Sequence, residues 1–395
     1  MSITKSFSAE SSVESRPLAF VSAGAVSIPW TIWFTIVGVI ATMTGSVLDL
    51  SWHMSIGRDE FWTPGHTTMG VGGAMAGLAG LYEILATTRA GAFRGRDASA
   101  RILGAHGPGG AFLVAWGGTA MLASSPFDDW WHNAYGLDLN FITPPHMLLT
   151  LGYFAIMIGA MVWLAGMIDR SREGLRERVV WLFLIVSGVS LLFMPLLNFT
   201  TRRSMHTAAC YLAVALVIPS LMIATGRGSR HKWGCTIVAA VYMGIVLTSV
   251  WLLPLFPAQP KIGPVYQNVT HMIPGQFPLL LIVPGFIADL LLRRLESRSS
   301  WIKAVVVGPA FVLGLLAVQW PFADFLMSPA SRNWIFGTGY LPYYFDLARY
   351  DPYQFKALEK TTGAFVLTMA AALVASILTT RFGLAWGDWM RKVRR

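Results

Sequence analysis

The sequence predicts an all-α integral membrane protein of about ten transmembrane helices, and three observations carry that prediction. Apolar residues make up 54% of the 395 residues and charged residues only 13%, about half of what a water-facing domain carries. Ten apolar stretches are long enough to span a bilayer, near 28–48, 66–86, 109–126, 146–168, 180–197, 207–225, 234–254, 277–292, 304–320 and 362–380. The chain also holds 38 Gly and 16 Trp, as close helix packing in lipid and aromatic interfacial belts require. The same composition excludes a soluble multidomain chain, intrinsic disorder and a disulfide scaffold. Cys210 and Cys235 fall near opposite ends of different stretches, so no disulfide between them is expected.

Taken in order, residues 1–27 read as a short cytoplasmic tail, because they lack the apolar core of a cleavable signal. Residues 28–170 hold four spans and every motif described below. Residues 171–320 add further spans, 321–361 form a long aromatic outer loop, and 362–395 close with a last span and a basic tail. The net charge of +10 sorts by side. With the amino terminus in the cytoplasm, the Arg and Lys clusters around 89–101, 170–178, 227–232, 293–303 and 381–395 all face inward. Positive-inside bias therefore places both termini inside an inner, multi-pass membrane. The basic balance records topology in membrane lipid and not a nucleic-acid partner.

Two outer connections resemble each other. One carries Asp49, Trp52-His53, Asp59, Thr63-Pro64 and His66; the other carries Asp128, Trp131-His132, Asp138, Thr143-Pro144 and His146. Each sits between two predicted spans, so the unit reads as a tandem helical hairpin with a decorated outer end. Residues i and i+4 share a helix face, which sets Asp49 beside His53 and Asp128 beside His132. Thr63 and Thr143, each followed by Pro, read as N-caps of the returning helices, with His66 and His146 in their first turns. Two imidazoles and a carboxylate then converge at each mouth, a ligand set that suits copper, iron or zinc and leaves positions open for exchangeable ligands. Ionisable groups at membrane depth mark functional sites.

The segment Asp49-x-Ser-Trp-His53-x4-Arg58-Asp59-x3-Thr63-Pro64-x-His66 resembles the metal-binding signature of the C subunit of the particulate methane and ammonia monooxygenases, the copper membrane monooxygenase family. The resemblance covers about residues 30–170 and implies that Asp49, His53 and His66 bind one copper. The second segment is similar to the family's other site, with Asp138, Phe141, Pro144 and His146 in matching places and Asp128 where the family has Asn. It implies His132 and His146 as ligands, O2-dependent hydroxylation of a small hydrophobic molecule at the outer leaflet, and an external electron donor such as quinol. Companion monooxygenase subunits or a homo-oligomer would follow from the same likeness.

Around the ligands, Arg58, Asp59 and Asp138 read as second-shell groups that orient imidazoles and balance carboxylate charge. His206 and His271 lie on the same predicted side as the motifs and are lesser candidates, whereas His106 and His231 lie on the other side and read as structural. Two other functions stay open on the residues alone: a non-catalytic metal-binding or metal-transport membrane protein, and an assembly subunit of a larger oxidase. A carrier needs polar groups across the midplane, for which Glu83 and Asp289 are the candidates, though each is expected to snorkel to an interface.

Overall fold

A computed structural model describes residues 27–57, 62–90, 99–136, 142–192, 200–261, 269–339 and 354–393. Among them are ten α-helices: α1 (Trp30–Ser55), α2 (Pro64–Ala90), α3 (Gly109–Tyr135), α4 (Pro144–Ile168), α5 (Glu173–Ser190), α6 (Ala208–Ser229), α7 (Gly234–Leu252), α8 (Ile282–Arg294), α9 (Ser300–Leu326) and α10 (Thr362–Met390). Seven are long and apolar enough to cross a membrane: α1, α2, α4, α6, α7, α9 and α10. The protein therefore reads as a multi-pass membrane protein. The other three depart from the expected set for separate reasons. α3 ends in a polar third that holds Asp128, Asp129, His132 and Asn133, and α5 begins on Glu173, Arg176, Glu177 and Arg178. α8 has 13 residues, about 20 Å of helix against a hydrocarbon core of about 30 Å.

The helices are longer than the apolar stretches. α1 continues beyond residue 48 to Ser55, so Asp49 and His53 ride on helix and not on loop. α9 carries through Pro321 to Leu326, which shortens the expected aromatic loop. Trp320 belongs to that helix and Trp334 to a short 3-10 turn, while the loop's tyrosines from 340 to 353 lie outside the described residues.

Glycines fix how closely the first four helices approach. A methyl group on Gly38 would meet the Gly72 carbonyl at 2.6 Å, and one on Gly117 would meet the Gly152 carbonyl at 2.7 Å. Both contacts are antiparallel, α1 with α2 and α3 with α4. Between the pairs, a methyl group on Gly77 would sit 3.0 Å from Gly118 on α3. Backbone contact of this kind is how helices associate where lipid supplies no hydrophobic drive. The antiparallel order brings the ends of α1 and α3 and the starts of α2 and α4 to one end of the layer.

Buried apolar side chains form two main clusters. One runs from Ile32 to Val189 through α1–α5; the other is built on Tyr211, Met222, Phe311 and Leu315 in α6–α10. Val180, Leu192 and Leu221 pack against both and join them. α6 and α10 run parallel in backbone contact: Gly383 abuts Ser220, Gly387 abuts Ala224, and the Thr379 hydroxyl donates to the Ala215 carbonyl at 2.7 Å.

Two features were not expected from the sequence. Residues 100–107 form a two-stranded antiparallel hairpin, β1 (Ala100–Ile102) and β2 (Ala105–Gly107). Its two-residue turn has Leu103 at φ 50° and Gly104 at φ 83°, the paired positive values of a tight hairpin turn. The chain before α8 is extended and buried. Its Leu280 N–H donates to Gln319 Oε1 at 2.9 Å, and Gln276 Oε1 accepts from the Arg202 N–H at 2.6 Å. Extended backbone in a membrane protein persists where buried polar side chains satisfy it.

Candidate metal centre

α1 and α2 meet at a point where no side chain intervenes. A Cβ on Gly65 would lie 2.6 Å from Asp49 Cα, and one on Gly45 would lie 2.8 Å from the Met69 nitrogen. The start of α2 is thus pressed onto the last turns of α1. Thr63 caps α2 from its side-chain oxygen, accepting from the His66 N–H at 3.1 Å. That cap orients the first turn and swings His66 toward Asp49.

The result is a three-residue cluster. His53 Nε2 lies 3.4 Å from Asp49 Oδ2, and His66 Nε2 lies 3.2 Å from Asp49 Oδ1. One ligand atom from each residue falls within 4.8 Å of the other two, and all three side chains are half-buried. Among the described residues nothing donates a hydrogen bond to the buried Asp49 Oδ1, and no group bonds the buried His53 Nδ1. Ligands held about 2.0–2.2 Å from a tetrahedral ion sit about 3.3–3.6 Å from one another. The two carboxylate–imidazole separations, which run to different oxygens of Asp49, are close to that spacing, and these residue types are the ones that hold a copper, iron or zinc ion. A carboxylate and two imidazoles leave one or more positions open.

Asp128, His132 and His146 come together in the same way at α3 and α4. His132 Nε2 lies 3.4 Å from Asp128 Oδ2, but His146 Nε2 lies 3.8 Å from Asp128 Oδ1. The separation along one helix is unchanged; the one across two helices is wider. Asp128 Oδ1 is again buried, and among the described residues it accepts no hydrogen bond. His132 Nδ1 pairs with the Gly136 carbonyl at 3.1 Å, and His146 Nδ1 with the Thr143 hydroxyl at 2.8 Å. Thr143 occupies the N-cap position of α4 but makes no cap bond, a departure from the expected cap. Its hydroxyl engages the imidazole instead.

The three residues expected to support the ligands, Arg58, Asp59 and Asp138, lie outside the described residues. Beneath the first cluster, Met69 meets two residues that sequence reasoning missed, Ser46 and Tyr153. Tyr153 on α4 donates to Met69 Sδ at 2.5 Å, and the Ser46 hydroxyl lies 3.3 Å from both atoms. Ser46 is one turn below Asp49 and Met69 one turn past His66, so α4 buttresses the first cluster. The signal was available in the i−3 and i+3 positions of the ligands.

Of the lesser candidates, His206 is stacked between Trp320 and Phe355, with centroids 4.1 and 3.7 Å away, and Nε2 faces the Trp320 carbonyl at 3.0 Å. It pins α6, α9 and the 354–361 segment together. His271 lies by the Thr270 hydroxyl at 2.9 Å, beside a cleft of about 240 Å³ walled by Met272, Ile273 and Trp334. His106 sits in β2, where its N–H donates to Thr88 Oγ1 at 2.8 Å; His231 Nδ1 accepts from the Trp233 N–H at 3.2 Å. Glu83 and Asp289 both have hydrogen-bond partners. Glu83 Oε2 accepts from the Thr31 hydroxyl at 3.0 Å. Asp289 is 5% exposed and caps α7, accepting from the Cys235 and Thr236 N–H groups at 3.1 and 2.8 Å.

No family model, curated protein or solved structure matches this chain.

Proposed function

We propose that the chain is a copper-dependent membrane monooxygenase, or the metal-bearing subunit of one, and that it hydroxylates a small hydrophobic molecule with dioxygen at the outer leaflet. The observation that carries this reading is the first cluster: Asp49, His53 and His66 each offer a ligand atom within 4.8 Å of the other two, and among the described residues nothing donates a hydrogen bond to the buried Asp49 Oδ1. A buried carboxylate oxygen that makes no hydrogen bond is costly, and a cation bound between it and the imidazoles offsets that cost. Parallel glycine contacts in α1–α2 and α3–α4, and the matching pair of clusters, support the tandem-hairpin reading.

Asp49, His53 and His66 would hold one ion and Asp128, His132 and His146 a second. Bound copper supplies one-electron chemistry and dioxygen activation at its open positions. The chain's own residues prepare the site. With its proton on Nδ1, His132 donates to the Gly136 carbonyl and presents the Nε2 lone pair toward Asp128. Thr143 does the same for His146, and such outer bonds fix tautomer and orientation. The surrounding apolar helix faces concentrate a substrate that partitions into lipid. Electrons would come from a quinol or another external donor. In the ten-segment topology, α3, α5 and α8 with its extended lead complete the set of spans, both termini are cytoplasmic, and the clusters face outward.

A carrier is the weaker reading, because its two candidate path residues are engaged elsewhere, Glu83 with Thr31 and Asp289 with the start of α7. Metal analysis of protein purified in lipid nanodiscs tests the proposal. Wild type should retain copper; His53→Ala should lose the ion of the first cluster and His132→Ala that of the second. Oxygen-dependent hydroxylation of a lipophilic substrate panel should fall with the ion. Unchanged copper in both variants would overturn the assignment.

A further inference from the structure

The two clusters share residue types and spacing along the helix, yet they differ in closure, and that difference has a location. Deep in each hairpin the glycine contacts correspond: Gly38 against Gly72, and Gly117 against Gly152. Near the mouth they do not. In the first hairpin Gly45 and Gly65 let α2 touch the backbone of Asp49. At the corresponding places of the second hairpin stand Ser124 and Pro145, each carrying a side chain where the first hairpin has glycine. Ser124 is buried, and so is Pro145. Both occupy volume where the first hairpin has none.

The distances record the outcome. The carboxylate–imidazole pair within one helix measures 3.4 Å in both hairpins, whereas the pair across helices measures 3.2 Å in the first and 3.8 Å in the second. Only the first cluster brings all three ligand atoms within 4.8 Å of one another, among the described residues.

We infer that Gly65 and Pro145 are positioning residues that make the two metal sites unequal: Gly65 closes the first into a tight three-ligand site, and Pro145 holds the second open as a weaker one. This inference rests on the metal reading above. The first cluster fills first as copper is supplied, and the second takes its ion at higher free metal.

Copper(I) titration against a chelating competitor, on full-length protein in nanodiscs, tests it. The first site is read in a His132→Ala background and the second in a His53→Ala background. Gly65→Ala should weaken the first site by about tenfold or more, the scale on which ligand-positioning changes act. Gly70→Ala is the matched control, since a Cβ there meets nothing within 4 Å, and its affinity should equal wild type. Pro145→Gly should tighten the second site severalfold; Pro144 still starts α4, so this arm stands even if Gly65→Ala fails to fold. Equal affinities at the two clusters, or Gly65→Ala and Gly70→Ala behaving alike, would overturn the inference while leaving the metal reading intact. Copper bound at neither cluster would remove both.

Discussion

At the scale of single residues, hydrogen bonds near the first cluster reach across distant parts of the chain. Ser51 donates to the Ile273 carbonyl at 2.6 Å, and the Ile273 N–H donates to Ser55 Oγ at 2.7 Å. These bonds fasten the last turn of α1, on the side away from Asp49, to the extended segment that leads toward α8. Ser55→Ala should lower stability by about 1–3 kcal/mol, the cost of leaving a buried backbone N–H unpaired, read as an earlier thermal transition in detergent. A transition equal to that of wild type would show that the segment is not docked there. The ligands were legible because i, i+4 and Thr-Pro spacing are local rules. The serine pair was not, because nothing near residue 51 announces a partner past residue 270.

Elements show where local pattern ends and tertiary context begins. α8 reads as a span on apolar content, yet it forms only from Ile282, because Pro274 and Pro278 precede it and their missing N–H groups interrupt a helix. Its buried Asp289 instead completes α7 by accepting from that helix's first N–H groups. An acidic cap at a helix start is favoured by both hydrogen bonding and the helix dipole. Asp289→Ala should therefore destabilise by about 1–3 kcal/mol, and Asp289→Asn, which keeps an acceptor oxygen, by less. A metal-uptake assay gives a second reading of the same variants: unchanged metal handling is expected from a cap, and lost uptake with a normal melting profile would restore the carrier. The β1–β2 hairpin escaped the sequence because its turn is Leu103-Gly104, and Leu is a rare residue at positive φ.

For the whole molecule, composition alone pointed to a membrane protein, since 13% charged residues is about half of what a soluble surface of this size carries. The number of crossings was less legible. A hydropathy stretch does not distinguish a full span from a short helix with an extended lead, as α8 shows, or from a helix with a charged start, as in α5. The clusters were legible in kind but not in degree, because the gap between helices depends on Gly65 and Pro145, which no ligand pattern weighs. Sidedness is open to direct test. Cysteine at position 62, beside the first cluster, should react with an impermeant maleimide added to intact cells; cysteine at position 103, on the hairpin tip, should react only after lysis. The reverse pattern would invert the topology and place the clusters in the cytoplasm. The most direct test of the central claim is an anomalous difference map at the copper edge from crystals of copper-loaded protein. The account predicts a peak within bonding distance of Asp49, His53 and His66 and a weaker one at Asp128, His132 and His146. Full copper loading with no peak at either cluster would contradict it.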